Sequence, residues 1–150
     1  MTTGRGPEDA ASTGPEARRG LDPEEHHVLV VEDDAPMRHL IARLLRENGF
    51  RATGARDGRE MWEALEKTGA DLVLLDVMLP GQSGFDLLRA LRARPGTPPV
   101  VMVTASVQAH QQARARQVGV DALVSKPFET EALVEVVEDL ALGGRPYVRR

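Results

Sequence analysis

The sequence predicts one α/β domain built on a five-stranded parallel sheet with helices on both faces. Three observations carry that expectation. Five short apolar runs alternate with helical patterns along the 150 residues, and such alternation builds a parallel sheet with right-handed crossovers. Val28-Leu29-Val30-Val31, Leu72-Val73-Leu74-Leu75 and Val100-Val101-Met102-Val103 are apolar throughout, as strands covered on both faces are. Four of the runs are then punctuated by polar or charged residues: Glu32-Asp33, Asp76, Thr104 and Ser125-Lys126.

Residues 1 to 25 are rich in Gly, Pro, Ala, Glu and Arg without periodicity. They cannot bury enough apolar surface to offset their ordering entropy, so a disordered leader is expected there. His26-His27 follow, but adjacent strand positions point to opposite faces, which argues against a shared metal. After the strand Val28 to Val31, Asp34 supplies an N-cap and Pro36 suits a first helical turn. Met37, Leu40, Ile41, Leu44 and Leu45 then form an apolar helical stripe, and Gly49 stops it. Phe50 to Ala55 reads as a weaker strand nearer an edge. Asp57-Gly58-Arg59-Glu60 has capping-box spacing before a helix with Met61, Trp62 and Leu65, where Trp62 is expected to pack partly into the core.

The third strand runs from Leu72 into Asp76, and Pro80-Gly81 stop the extended run. Ser83-Gly84-Phe85-Asp86 gives a second capping-box pattern ahead of a helix carrying Phe85, Leu87, Leu88 and Leu91. The fourth strand, Val100 to Val103, ends in Thr104. Val107 to Val118 reads as a helix with few large apolar anchors, expected to pack weakly, and Gly119 ends it. Ala122-Leu123-Val124 is a short fifth strand running into Ser125-Lys126-Pro127-Phe128. The last helix carries Leu133, Val134, Val136, Val137 and Leu140, and Gly143-Gly144 close it. The folded unit is expected over 26 to 142, with a polar, basic tail over 143 to 150.

There is no cysteine, which excludes disulfides and Cys-ligated zinc. No apolar run has signal-peptide or membrane-spanning length, so no membrane insertion and a cytoplasmic location are expected. The formal net charge of -4 and an aromatic content of 3% argue against direct nucleic-acid binding. So few residues follow the last helix that no attached effector is expected, and the output should go to another protein.

In a parallel sheet the carboxyl ends of the strands share one edge, where open α/β folds place their sites. Glu32, Asp33, Asp76, Thr104 and Lys126 can therefore converge. Carboxylates brought that close repel one another and call for a cation, and an all-oxygen set suits Mg2+. Three carboxylates balanced by Mg2+ and Lys126 leave no net charge, so a dianionic phosphoryl donor can approach. Asp76 is then a plausible nucleophile, since carboxylates form aspartyl phosphates.

Val30-Val31-Glu32-Asp33-Asp34, Leu74-Leu75-Asp76-Val77-Met78-Leu79-Pro80-Gly81 with Gly84, Val103-Thr104-Ala105 and Lys126-Pro127-Phe128 together resemble the signature of the response regulator receiver domain of two-component signalling. The resemblance covers about Val28 to Leu140. It implies the flavodoxin-like strand order 2-1-3-4-5, Asp76 as phosphoacceptor, Thr104 as switch hydroxyl and Lys126 as phosphoryl contact. It also implies a Mg2+ site from the acidic pair Glu32 and Asp33, Asp76 and the backbone carbonyl of Met78, and a cis peptide at Lys126-Pro127. A sensor histidine kinase or phosphotransfer protein is the implied donor, and a downstream protein the implied target. The protein would be a self-modifying switch rather than an enzyme.

Two further positions are singled out by the same resemblance. Leu123 stands where many receivers carry Tyr or Phe, so either the usual threonine-coupled switch is lost or a smaller side chain repacks instead. Met78 and Ser106 occupy the positions that hold the hydrolytic water. An apolar chain covering the site and a short hydroxyl imply a slow loss of the phosphoryl group.

Three other readings compete. A haloacid-dehalogenase-like phosphohydrolase needs a second Asp two positions on, but Met78 and Ala35 stand there. A Rossmann-type nucleotide binder needs a Gly-rich turn where this chain has Glu32-Asp33-Asp34. A receiver-fold interaction module that works without phosphorylation is the remaining alternative.

Overall fold

The computed structural model describes residues 25–105 and 109–143. The expected leader, the tail from residue 144, Ser106 and the first residues of the helix expected from Val107 lie outside the described residues. Five parallel strands, β1 (His27–Val31), β2 (Arg51–Ala55), β3 (Leu72–Asp76), β4 (Val100–Thr104) and β5 (Ala122–Ser125), form one sheet ordered β2-β1-β3-β4-β5. This is the flavodoxin-like order expected. Among the described residues five α-helices connect and cover the strands: α1 (Ala35–Glu47), α2 (Gly58–Lys67), α3 (Gly84–Arg92), α4 (Ala109–Val118) and α5 (Thr130–Gly143).

Successive strand residues face opposite sides of the sheet, which divides the core in two. Val28, Val30, Leu72, Leu74, Val101 and Val103 pack with Ile41 and Leu45 of α1 and Leu133, Val136 and Val137 of α5. Leu29, Val31, Val73, Leu75, Val100 and Met102 pack with Met61 of α2, Leu88 and Leu91 of α3 and Ala115 of α4. Trp62 is partly buried against this second layer, with the Arg94 guanidinium 4.1 Å above its ring. The all-apolar strands are thus covered on both faces. The β2 edge strand is covered only in part, with Ala52 and Ala55 buried and Arg51 and Gly54 exposed, in keeping with its weaker pattern.

Capping follows the sequence in part. Asp34 accepts the Met37 N–H at 3.0 Å and Asp57 the Glu60 N–H at 3.0 Å. Glu60 reaches back to the Arg56 N–H at 2.9 Å, one residue before the cap. At α3 the box does not form: Ser83 caps Phe85 N–H at 3.0 Å, but Asp86 turns to Arg89 at 3.2 Å.

Two expectations need correction. Leu40, expected in the buried stripe of α1, is 37% exposed, because the helix turns Ala42 rather than Leu40 toward the sheet. Of the expected weak fourth helix, Ala109–Val118 is helical among the described residues. Pro80-Gly81 do more than stop a strand: Met78–Leu79 and Gln82–Ser83 pair antiparallel around them, with Gly81 at φ 75°. Pro followed by a residue at positive φ suits the two centre positions of a tight turn, which explains the hairpin.

Candidate functional site

Strand register brings the polar strand ends together. Val31 pairs with Leu75, so the next residues, Glu32 and Asp76, leave β1 and β3 side by side. Asp76 in turn pairs with Val103, and Thr104 with Ser125, which sets Thr104 one step and Lys126 two steps further along the same edge. The backbone N–H of Lys126 donates to the Thr104 carbonyl at 2.7 Å, and the Lys126-Pro127 peptide is cis as expected.

One carboxylate oxygen from each of Glu32, Asp33 and Asp76 lies within 4.8 Å of the other two. Glu32, Asp76 and Thr104 are buried at 3%, 6% and 3% exposure, while Asp33 is exposed. Lys126 Nζ donates to Glu32 Oε1 at 2.7 Å and stands 3.5 Å from Asp76 Oδ2. Asp76 Oδ1 accepts the Met78 N–H at 3.2 Å, and Glu32 Oε2 the Asp34 N–H at 3.2 Å.

Burial pushes the Glu32 carboxyl above its usual range; Lys126 pulls it back, and neighbouring Asp76 adds to the rise. Burial works against the Lys126 charge too, but its bond to Glu32 and the charges of Asp76 and Glu32 more than offset this, so its pKa is raised. Two of the three carboxylates thus share one ammonium, and Asp33 stands beside them without one. The donors are all oxygen and open to solvent on the Asp33 side, a set that fits a hard divalent cation.

The remaining expected positions fall differently. Leu123 is half-buried in the layer under α2, α3 and α4. The Met78 side chain is 73% exposed, so it stands in solvent instead of covering the site as expected. The hairpin causes this, since pairing of Met78 with Ser83 fixes the backbone and turns the side chain outward.

Sequence reasoning missed two supports. Gly84 lies against the backbone of Asp76: a Cβ there would come 2.9 Å from Val77 Cα and 3.1 Å from the Asp76 carbonyl carbon. Arg38 donates from Nη1 to the Glu32 carbonyl at 2.7 Å and to the Asp33 carbonyl at 3.4 Å. A cation one helical turn behind an acidic loop was the available signal.

Comparison with known proteins agrees with this geometry. The family profile described as the response regulator receiver domain matches residues 28–138. The sensory transduction protein RegX3 of Mycolicibacterium smegmatis is 43% identical over 107 residues, covering 71% of this chain and 46% of that protein. The DNA-binding response regulator MtrA of Mycobacterium tuberculosis is 38% identical over 114 residues, or 76% of this chain and 50% of that one. The chain therefore spans about half the length of these curated relatives. Among solved structures, the receiver domain of the Francisella response regulator 1452 superposes with a TM-score of 0.75 at 28% identity, covering 80% of this chain and 99% of that one. A response regulator from Chloroflexus aurantiacus gives 0.73 at 30% identity, covering 77% and 97%. With its profile match, its sheet order and its strand-end residues in agreement, the chain belongs to the response regulator receiver domain family.

Proposed function

We propose that the protein is a phosphoacceptor switch in which Asp76 receives a phosphoryl group and passes the signal on by conformational change. The observation that carries this reading is the buried Asp76 carboxylate, which shares Lys126 with Glu32 and meets Asp33 at the solvent side. Asp33, Asp76 and the Met78 carbonyl, with Glu32 alongside, would hold Mg2+, which when bound offsets negative charge on the transferring group. In the transfer an Asp76 oxygen attacks phosphorus, an O–P bond forms, and the bond from phosphorus to the donor nitrogen or oxygen breaks. Lys126, already 3.5 Å from Asp76, is within reach of a phosphoryl oxygen. The Thr104 hydroxyl, one residue beyond the Asp76 partner Val103, serves as the second contact.

The donor in this reading is a sensor histidine kinase or phosphotransfer protein in the cytoplasm. The protein modifies its own side chain and later loses the group, so it is a switch and not a turnover enzyme. The output is a protein target. MtrA is named for DNA binding, but the -4 net charge of this chain supports a protein partner over direct contact with phosphates. Intact-mass spectrometry after acetyl phosphate and Mg2+ treatment tests the proposal: one added phosphoryl group is expected, absent from Asp76→Asn. Folded wild-type protein that takes no label would instead favour a phosphorylation-independent interaction module.

A further inference from the structure

Three carboxylates meet at the site, but only two are held through their side chains. Glu32 is tied to Lys126 and the Asp34 N–H, and Asp76 to Lys126 and the Met78 N–H. Among the described residues the exposed Asp33 carboxylate has no such hydrogen bond or ion pair, so its direction is set by the backbone that carries it. Glu32 Oε2 holds one flanking peptide unit through the Asp34 N–H, and Arg38 touches both. Arg38 Nη1 lies 2.7 Å from the Glu32 carbonyl oxygen and 3.4 Å from that of Asp33. These carbonyls belong to the two peptide units flanking Asp33. Each unit is planar, so orienting both constrains φ and ψ of Asp33 and hence its Cα–Cβ bond.

A second observation supports the clamp independently. Arg38 lies flat across β2 at Gly54, where an added Cβ would come 2.9 Å from its Cδ, 3.1 Å from Cγ and 3.3 Å from Nε. Gly54 is not among the glycines at positive φ. Close approach of Arg38, not backbone conformation, is what a side chain at residue 54 would disturb.

We infer that Arg38 is a positioning residue for the Mg2+ site: it aims the Asp33 carboxylate through the backbone and touches neither metal nor phosphoryl group. The inference rests on the function proposed above. Residues that orient metal ligands typically cost tenfold or more in affinity when removed. Calorimetric titration of metal-free protein with MgCl2 tests it. Arg38→Ala should raise the Mg2+ Kd about tenfold, and Arg38→Lys should restore part of the loss, since an ammonium can donate to the same carbonyls but ends one bond short of Nη1. Gly54→Ala keeps every charged group and only lifts Arg38 from the strand, so it should weaken binding by a smaller factor and serves if Arg38→Ala does not fold. A merely structural Arg38 would lower the melting temperature and leave Kd unchanged. Wild-type Mg2+ binding together with an unchanged Kd in the folded variants would overturn the inference alone. Absence of Mg2+ binding by wild type would overturn it together with the proposed function.

Discussion

Gly84→Ala should damage both the fold and the site, and the structure separates the two effects. The added methyl meets backbone atoms only, Val77 Cα at 2.9 Å and the Asp76 carbonyl carbon at 3.1 Å among them, so no rotamer change can relieve it. Overpacking costs about 1–3 kcal/mol, and a backbone obstacle places this case near ~3. At ~4 °C per kcal/mol for a domain of this size, the melting temperature should fall by ~12 °C. Gly81→Ala is the comparison, because Gly81 has φ 75° but nothing within 4 Å of an added Cβ. It should lose only the ~1–2 kcal/mol of a left-handed alanine. The assay pairs thermal melts by circular dichroism with initial rates of acetyl phosphate labelling at a temperature where both variants are folded. Displacing the backbone of Asp76 by even ~1 Å should slow labelling by up to about a hundredfold, while Gly81→Ala labels like wild type. If Gly84→Ala melted no lower than Gly81→Ala and labelled at the wild-type rate, the close contact would not position Asp76.

Lys126→Ala removes the cation shared by Glu32 and Asp76; metal-free stability should fall by about 3 kcal/mol, Mg2+ should bind more tightly, and NMR shifts on phosphorylation should shrink, whereas wild-type-like shifts would contradict its role. Glu32 titrates in the folded protein above its usual 4.5, so its stabilising contribution is full below that value and is lost as pH rises through the folded pKa. In denaturant melts without Mg2+, wild type should therefore lose stability relative to Glu32→Gln as pH rises from 4.5 toward neutrality, and Mg2+ should reverse the trend; a gap that moves in wild type's favour without metal would refute it. Ala115 is the only residue of α4 fully buried among those described, so its amides should exchange faster than those of β1; equal protection would contradict a weakly held helix.

The architecture was legible because strands buried on both faces leave an unbroken apolar run, and β1, β3 and β4 all do. The site was legible because each of those runs ends in a residue with chemistry, and parallel register must bring such ends to one edge. What escaped the sequence has no periodic trace. Leu40 satisfies the helical stripe as well as Ala42 does, and only the rotation of α1 against the sheet decides between them. Its place two residues beyond Asp76 predicts Met78 over the site, but pairing in the hairpin turns its side chain outward. Arg38 and Gly54 act on backbone carbonyls and on a flat crossing between α1 and β2, contacts between a side chain and a main chain that residue spacing does not encode.

The most direct test of the central claim locates the transferred group. Protein labelled with acetyl phosphate and Mg2+ is reduced with borohydride, which converts an aspartyl phosphate to homoserine, and is then digested and sequenced by mass spectrometry. The account predicts homoserine at residue 76 alone, dependent on Mg2+ and on the donor. Homoserine at Asp33, at Asp34 or at any other aspartate, with Asp76 unchanged, would contradict it.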